Sequence, residues 1–194
     1  MTRRKILICS LAVAALVAGC GGSASDDAGG NGAAVSAAGR SFNDADVMFA
    51  QMMIPHHEQA VEMSDIALDP TVGASDAVRQ LATRIKGAQD PEIELMTGLL
   101  TGWGKSTEMD MSMDHSSMMD GMLTADELDG LSLLRGADFD RAWMEAMVKH
   151  HEGALAMAKD VLEDGSDPAV RKLSEEIVAG QQAEIDEMRG LLGS

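Results

Sequence analysis

Two phrases in this chain are nearly the same sentence. "IPHHEQAVEM" begins at Ile54 and "VKHHEGALAM" at Val148, and together they hold four of the five histidines. The duplication runs further. A shift of 94 positions superposes Asp46 on Asp140, Phe49 on Trp143, Met53 on Met147, Ala60 on Ala154 and Met63 on Met157. With a two-residue gap in a connecting loop, Gln89, Glu92, Ile93 and Met96 fall on Gln181, Glu184, Ile185 and Met188, so "QxxEIxxM" is also written twice. A repeated unit buries its apolar face most readily against its own copy, which imposes a pseudo-twofold architecture.

Apolar residues recur every three or four positions with almost no alternation, so the repeated elements are helices. The first runs from Asp44 to Leu68 and stops at Asp69-Pro70. A second runs from Ser75 to about Leu100, ended by Gly102 and Gly104, with Pro91 expected to kink it. Thr124-Ala125-Asp126-Glu127 matches a capping box that opens a short helix broken at Gly136. A long helix follows from Asp138 to Glu163, and Asp167-Pro168 starts the last, which reaches about Leu192. Each half is then a helical hairpin, and the expected fold is an all-α four-helix bundle with a short extra helix and a Met-rich loop between the halves.

The ends belong to a different story. Arg3, Arg4 and Lys5 precede an apolar stretch, Ile6 to Ala18, that is too short to span a bilayer. It closes on Val17-Ala18-Gly19-Cys20, which resembles the lipobox of bacterial lipoproteins and implies lipid on Cys20 after cleavage. Residues 1–19 are therefore expected to be a signal peptide and residues 20–41 a lipidated cysteine with a flexible Gly/Ala/Ser/Asp linker. Residues 42–194 form the bundle domain: repeat one 42–102, Met-rich loop 103–123, repeat two 124–194. Such a chain sits on the extracytoplasmic face of the cell membrane, held by acyl chains. Loss of three signal-peptide cations takes the formal charge from −17 to −20. That charge repels nucleic acid and attracts cations. With Cys9 removed and Cys20 acylated, no thiol remains for a disulfide, a nucleophile or a metal.

A turn of 100° per residue puts Phe49, Met53, His56, Ala60 and Ala67 on one apolar face, with His56 and His57 on either side of its middle. His150 and His151 straddle the face of Trp143, Met147 and Ala154 in the same way, while Glu58, Glu62 and Glu152 turn outward. A Met-x-x-His pair thus looks inward in each half, Met53 with His56 and Met147 with His150. Gln181, Glu184 and Met188 share a face with Val170 and Ile177, and Gln89, Glu92 and Met96 repeat the arrangement. A glutamate on a core face needs a partner, and an imidazole N–H from the neighbouring helix supplies one. These two motifs alone fit a structural His–Glu link as well as a metal site.

Between the halves lies "STEMDMSMDHSSMMDGM", which carries Met109, Met111, Met113, Met118, Met119, Met122 and His115. No helical period exists to bury these side chains, and exposed thioethers invite oxidation. Thioether sulfur suits Cu(I) or Ag(I) and discriminates against Ca(II) and Mg(II). His115 with Asp110, Asp114 and Asp120 offers nitrogen and oxygen to Cu(II).

"DVMFAQMMIPHHEQAVEM", "FDRAWMEAMVKHHEGALAMA" and the paired "QxxEIxxM" resemble the bacterial family called domain of unknown function 305, over about Phe42 to Leu192. The resemblance implies a ferritin-like bundle, exported or lipid-anchored, with some members linked to copper binding and resistance. By position it implies Met53, His56, His57 and Met63 with Met147, His150, His151 and Met157 as the functional residues. A ferritin-like fold also raises di-iron oxidation, but Met-x-x-His stands where that site needs Glu-x-x-His, leaving Glu92 and Glu184 as the bridging carboxylates on offer.

The expected function is an extracytoplasmic copper-binding lipoprotein, Cu(I) favoured over Cu(II), that sequesters the ion or hands it to a partner protein. Glu92 and Glu184, with Gln89 and Gln181 beside them, would orient the imidazoles. No nucleophile–base arrangement is visible, so no enzymatic activity is expected. The protein contacts this reading allows are a copper-exchange partner and self-association. The rival readings are a helical scaffold whose His–Glu pairs only join helices, and a di-iron oxidase.

Overall fold

Capping chemistry sets where the helices begin. In the computed structural model, which describes residues 34–35, 41–108 and 120–193, helix α1 spans Asp44–Leu68. Asn43 caps it by accepting from the Asp46 N–H, and the Asp46 carboxylate accepts from the Asn43 N–H in return. Ser75 caps α2, Asp76–Gly102. Thr124 and Glu127 form the capping box expected for the short helix α3, Ala125–Leu133. Helix α4 is Gly136–Asp164 and α5 is Pro168–Leu192, with Asp167 as its cap and Pro168 in its first turn. Among the described residues no helix is long and apolar enough to cross a membrane.

Two local expectations change. Ala34–Val35, read as linker, form strand β1 and pair antiparallel with β2, Ser41–Phe42. Gly136 does not separate two helices by a break alone: at φ +55 it is itself the first residue of α4, and its N–H donates to the Val72 carbonyl. Helix α1 runs without interruption through Pro55, as its expected bounds require.

The fold is an all-α bundle of two antiparallel hairpins, α1 with α2 and α4 with α5, that meet mainly along α1 and α4. Its core falls into two clusters. One joins Phe49, Met52 and Met53 of α1 to Met96–Leu100 of α2, Ala154–Val161 of α4 and Val170–Ile177 of α5. The other joins Ala60–Ala67 of α1 to Val78–Ile85, Phe139–Val148 and Ile185–Met188, with Leu131 of α3. Helix α1 thus runs antiparallel to α4. The start of one meets the end of the other, and the histidines fall between the two clusters.

Equivalent aspartates brace the hairpins against each other. Asp46, fully buried, accepts from the N–H groups of Ser166 and Asp167 and from the Ser166 hydroxyl, at the start of α5. Asp140, its counterpart on α4, accepts from the Ser75 N–H at the start of α2. In each case the first helix of one hairpin supplies a carboxylate to the N-terminus of the second helix of the other, where unpaired N–H groups favour an anion.

Candidate metal centre

The histidines lie where periodicity puts them. His56, His57, His150 and His151 are all at most 1 % exposed. His57 Nε2–H donates to Glu92 Oε2 on α2 at 2.7 Å, and His151 Nε2–H donates to Glu184 Oε2 on α5 at 2.8 Å. A carboxylate oxygen accepts, so the ring nitrogen facing it carries a proton and Nδ1 lies on the far side of each ring. Both Nδ1 atoms are buried without a partner.

His56 and His150 face each other across the α1–α4 seam, ring centroids 3.8 Å apart and planes tilted by 41°. They are equivalent positions of the two copies, so the axis relating the repeats passes between them. Neither nitrogen of either ring has a hydrogen-bond partner of ordinary geometry. Burial, reinforced by the neighbouring rings of His57 and His151, lowers His56 to about 3, with the Asp120 backbone pulling weakly the other way. Burial and the His56 ring also hold His150 well below the ordinary range. Both rings therefore stay neutral, the form that binds metal, far into acid.

Six of the eight imidazole nitrogens are thus buried and unpaired. Each such group costs about 1–3 kcal/mol. Six together approach the ~5–15 kcal/mol net stability of a whole domain.

Methionines flank this layer in pairs drawn from both copies. Met53 and Met157 lie in one apolar cluster, and Met63 and Met147 in the other. Gln89 and Gln181 are buried beside the glutamates, and neither the Gln89 amide nor the Gln181 carbonyl oxygen has a partner. Among the described residues no three His, Cys, Asp or Glu side chains converge as a ready oxygen–nitrogen cage. Glu58 and Glu152 are exposed. A centre here is built from imidazole and thioether, and that donor set fits a soft ion of low coordination number.

Met109, Met111, Met113, His115, Met118 and Met119 lie outside the described residues. Met122, partly exposed, lines a cleft of about 490 Å³ with Glu127, Glu145 and Lys149. What sequence reasoning missed is the cover of the histidine layer by residues 120–123. Gln59 Nε2–H donates to the Leu123 carbonyl at 2.8 Å and Gln59 Oε1 accepts from the Leu123 N–H at 2.7 Å. On α4 the same repeat position is Gly153, where an added Cβ would meet the Asp120 oxygen at 1.9 Å and His56 Nε2 at 3.3 Å. At Gly121, φ +89, an added Cβ would meet the Lys149 carbonyl oxygen at 2.3 Å. The signal was present: "HHEQA" and "HHEGA" differ at that one letter. Gln51 holds the other flank, donating to the carbonyls of Ser106 and Glu108.

Two antiparallel hairpins closing on four buried imidazoles and their flanking thioethers define a pseudo-symmetric bundle with a histidine layer at its centre. The chain belongs to the domain of unknown function 305 family, whose model matches residues 46–192. A family member from Streptomyces coelicolor described as secreted is 33 % identical, with a TM-score of 0.71 over 77 % of this chain and 92 % of that one. A family fragment from Deinococcus radiodurans is 34 % identical, with a TM-score of 0.68 over 77 % and 96 %. CopM in its Cu(I)-bound form is 29 % identical, with a TM-score of 0.63 over 75 % and 94 %, and it has also been solved with Cu(II) and with silver. An uncharacterised protein of Acanthamoeba polyphaga mimivirus is 34 % identical over 53 residues, and the match spans 35 % of its length.

Proposed function

We propose that this protein binds copper, Cu(I) in preference to Cu(II), on the extracytoplasmic side of the membrane, as store or relay rather than as an enzyme. The observation that carries the reading is the set of six unpaired, buried imidazole nitrogens between two pairs of methionines. Family relatives that hold Cu(I), Cu(II) and silver on the same fold support it, as does one described as secreted. His56 and His150 would take the ion between their rings, with Nδ1 of His57 and His151 and the sulfurs of Met53, Met63, Met147 and Met157 as further donors. Glu92 and Glu184 fix the rings that face them. The segment carrying Met109, Met111, Met113, His115, Met118, Met119 and Met122 would capture the ion, and lipid on Cys20 would tether the domain. A copper-exchange protein would be its partner.

Anaerobic titration with Cu(I) against a competing chelator tests this. More than one equivalent should bind. Replacing residues 109–119 with a Gly/Ser segment of equal length should remove the tightest, and His56→Ala with His150→Ala should remove another. The second reading, a scaffold, is favoured by one feature: His57–Glu92 and His151–Glu184 join the helices of each hairpin. A scaffold would show no saturable copper binding, and its histidine variants would lose only stability.

A further inference from the structure

Two methionines that the histidine layer does not use share a groove with Met157, which flanks it. Met48 and Met52 of α1 and Met157 of α4 line a depression of about 200 Å³ where α1 begins and α4 ends. Met52 and Met157 are 3 % and 7 % exposed, whereas Met48 is 36 % exposed. Asp160 and Asp164 complete the α4 side, and no lysine or arginine lines the groove. Met48 and Met52 are one helical turn apart, so their side chains share a face, and Met157 comes from the facing helix.

The duplicated fold shows what packing alone asks of this place. In the second copy, Ala142 and Ala146 stand where Met48 and Met52 stand in the first. There α3 stands alongside, and the half-buried Ala142 and Ala146 line a cleft with its Glu127 and Leu131. No described element covers Met48. Leucine would shield the same area with better-defined rotamers and without the oxidation liability of a thioether outside the cytoplasm. Sulfur is the property that leucine lacks.

The donor set points to one class of ligand. Thioethers are neutral and soft, and they hold monovalent copper or silver without releasing a proton. Two carboxylates at the lip raise the local cation concentration, and as hard ligands they compete poorly for such an ion. Two carboxylates fall short of the six or more oxygens that calcium takes.

We propose that this groove is a separate site for a soft monovalent cation, Cu(I) or Ag(I), held by the sulfurs of Met48, Met52 and Met157 with Asp160 and Asp164 at its rim. The proposal rests on the soft-metal part of the copper reading, and of the donors placed around the histidine layer it shares Met157 alone. The groove also lies at the outer end of a run of sulfur. Met53 follows Met52, belongs to the same apolar cluster and precedes His56 by one turn.

The test uses the full chain in detergent, methyl-labelled at methionine, titrated with silver ion and followed by NMR. The Met48, Met52 and Met157 methyl signals should shift together and saturate. A Met48→Leu, Met52→Leu double variant should bind one silver ion fewer by native mass spectrometry, unfold within a few degrees of the parent, and keep the silver-induced shifts of the His56 and His150 rings. The proposal is overturned if the three signals stay in place at saturating silver, or if the double variant binds as many ions as the parent. It is equally overturned if the signals follow protein concentration instead of silver, since a second copy would then occupy the groove. Should the histidine rings ignore silver while the three methyl signals respond, the central copper site fails and the groove stands.

Discussion

The two hairpins are copies in outline and differ in how each is held. Asp46 is buried and accepts from two N–H groups and a hydroxyl of the opposite hairpin, whereas Asp140 accepts from one N–H at a half-exposed position. Helix α1 has the Asn43 cap, while Arg135 gives α4 no side-chain cap. Phe49 fills its place by shape alone, but Trp143 also donates Nε1–H to the Met63 carbonyl at 2.9 Å. Gln59 grips the 120–123 segment and Gly153 makes room for it. What stays the same is the chemistry of the layer: two buried histidines and a glutamate per copy. Duplication left the histidine layer alone and put the asymmetry into the bracing.

The largest test of that difference is the pair Asp46→Ala and Asp140→Ala. Removing Asp46 strands several buried donors and should cost about 3–5 kcal/mol in urea unfolding. Removing Asp140 should cost about 1 kcal/mol, as loss of a cap does. Equal losses would erase the asymmetry. Acid tests the shared part. His56 and His150 have lowered folded values, so the unfolded chain takes up protons first as pH falls below 6.5. Stability of the metal-free domain is then unaffected above pH ~6.5 and falls below it by about 1.4 kcal/mol per pH unit for each histidine. His150→Gln should roughly halve the slope in urea midpoints measured between pH 6.5 and 5.

Gly153→Ala comes next. The methyl group collides with the Asp120 carbonyl and should cost about 1–3 kcal/mol, with faster hydrogen exchange at Leu123. Ala at position 59 should loosen the same segment by losing hydrogen bonds, with no steric push on α4. The smallest effect is Trp143→Phe, which makes this position like Phe49 and should lower stability by about 1 kcal/mol in thermal unfolding through the lost hydrogen bond.

Much of this was legible in the letters. Helix α1 has the expected bounds, Asp44–Leu68, because Asn43 and Asp69 punctuate it. Burial of both His pairs and their pairing with Glu92 and Glu184 followed from 3.6-residue periodicity, although the two carboxylates are half-buried where a core face was expected. Contacts of irregular chain were not legible. The 120–123 cover depends on a backbone carbonyl meeting a glycine some thirty residues on, and no period records that. The β1–β2 pairing is two residues long, too short for alternation to show. The groove at Met48 and Met52 was not legible either, because periodicity places both on the helix without telling that Met48 stays exposed beside a buried Met52 and Met157.

His56 and His150 come from equivalent places, so neither hairpin by itself contains the facing pair. A chain of half this length would assemble the pair only by finding a second molecule, and dilution would dismantle it. Joining the copies in one polypeptide replaces that encounter with an intramolecular one at an effective concentration on the order of millimolar. The facing rings therefore persist however few molecules a cell makes.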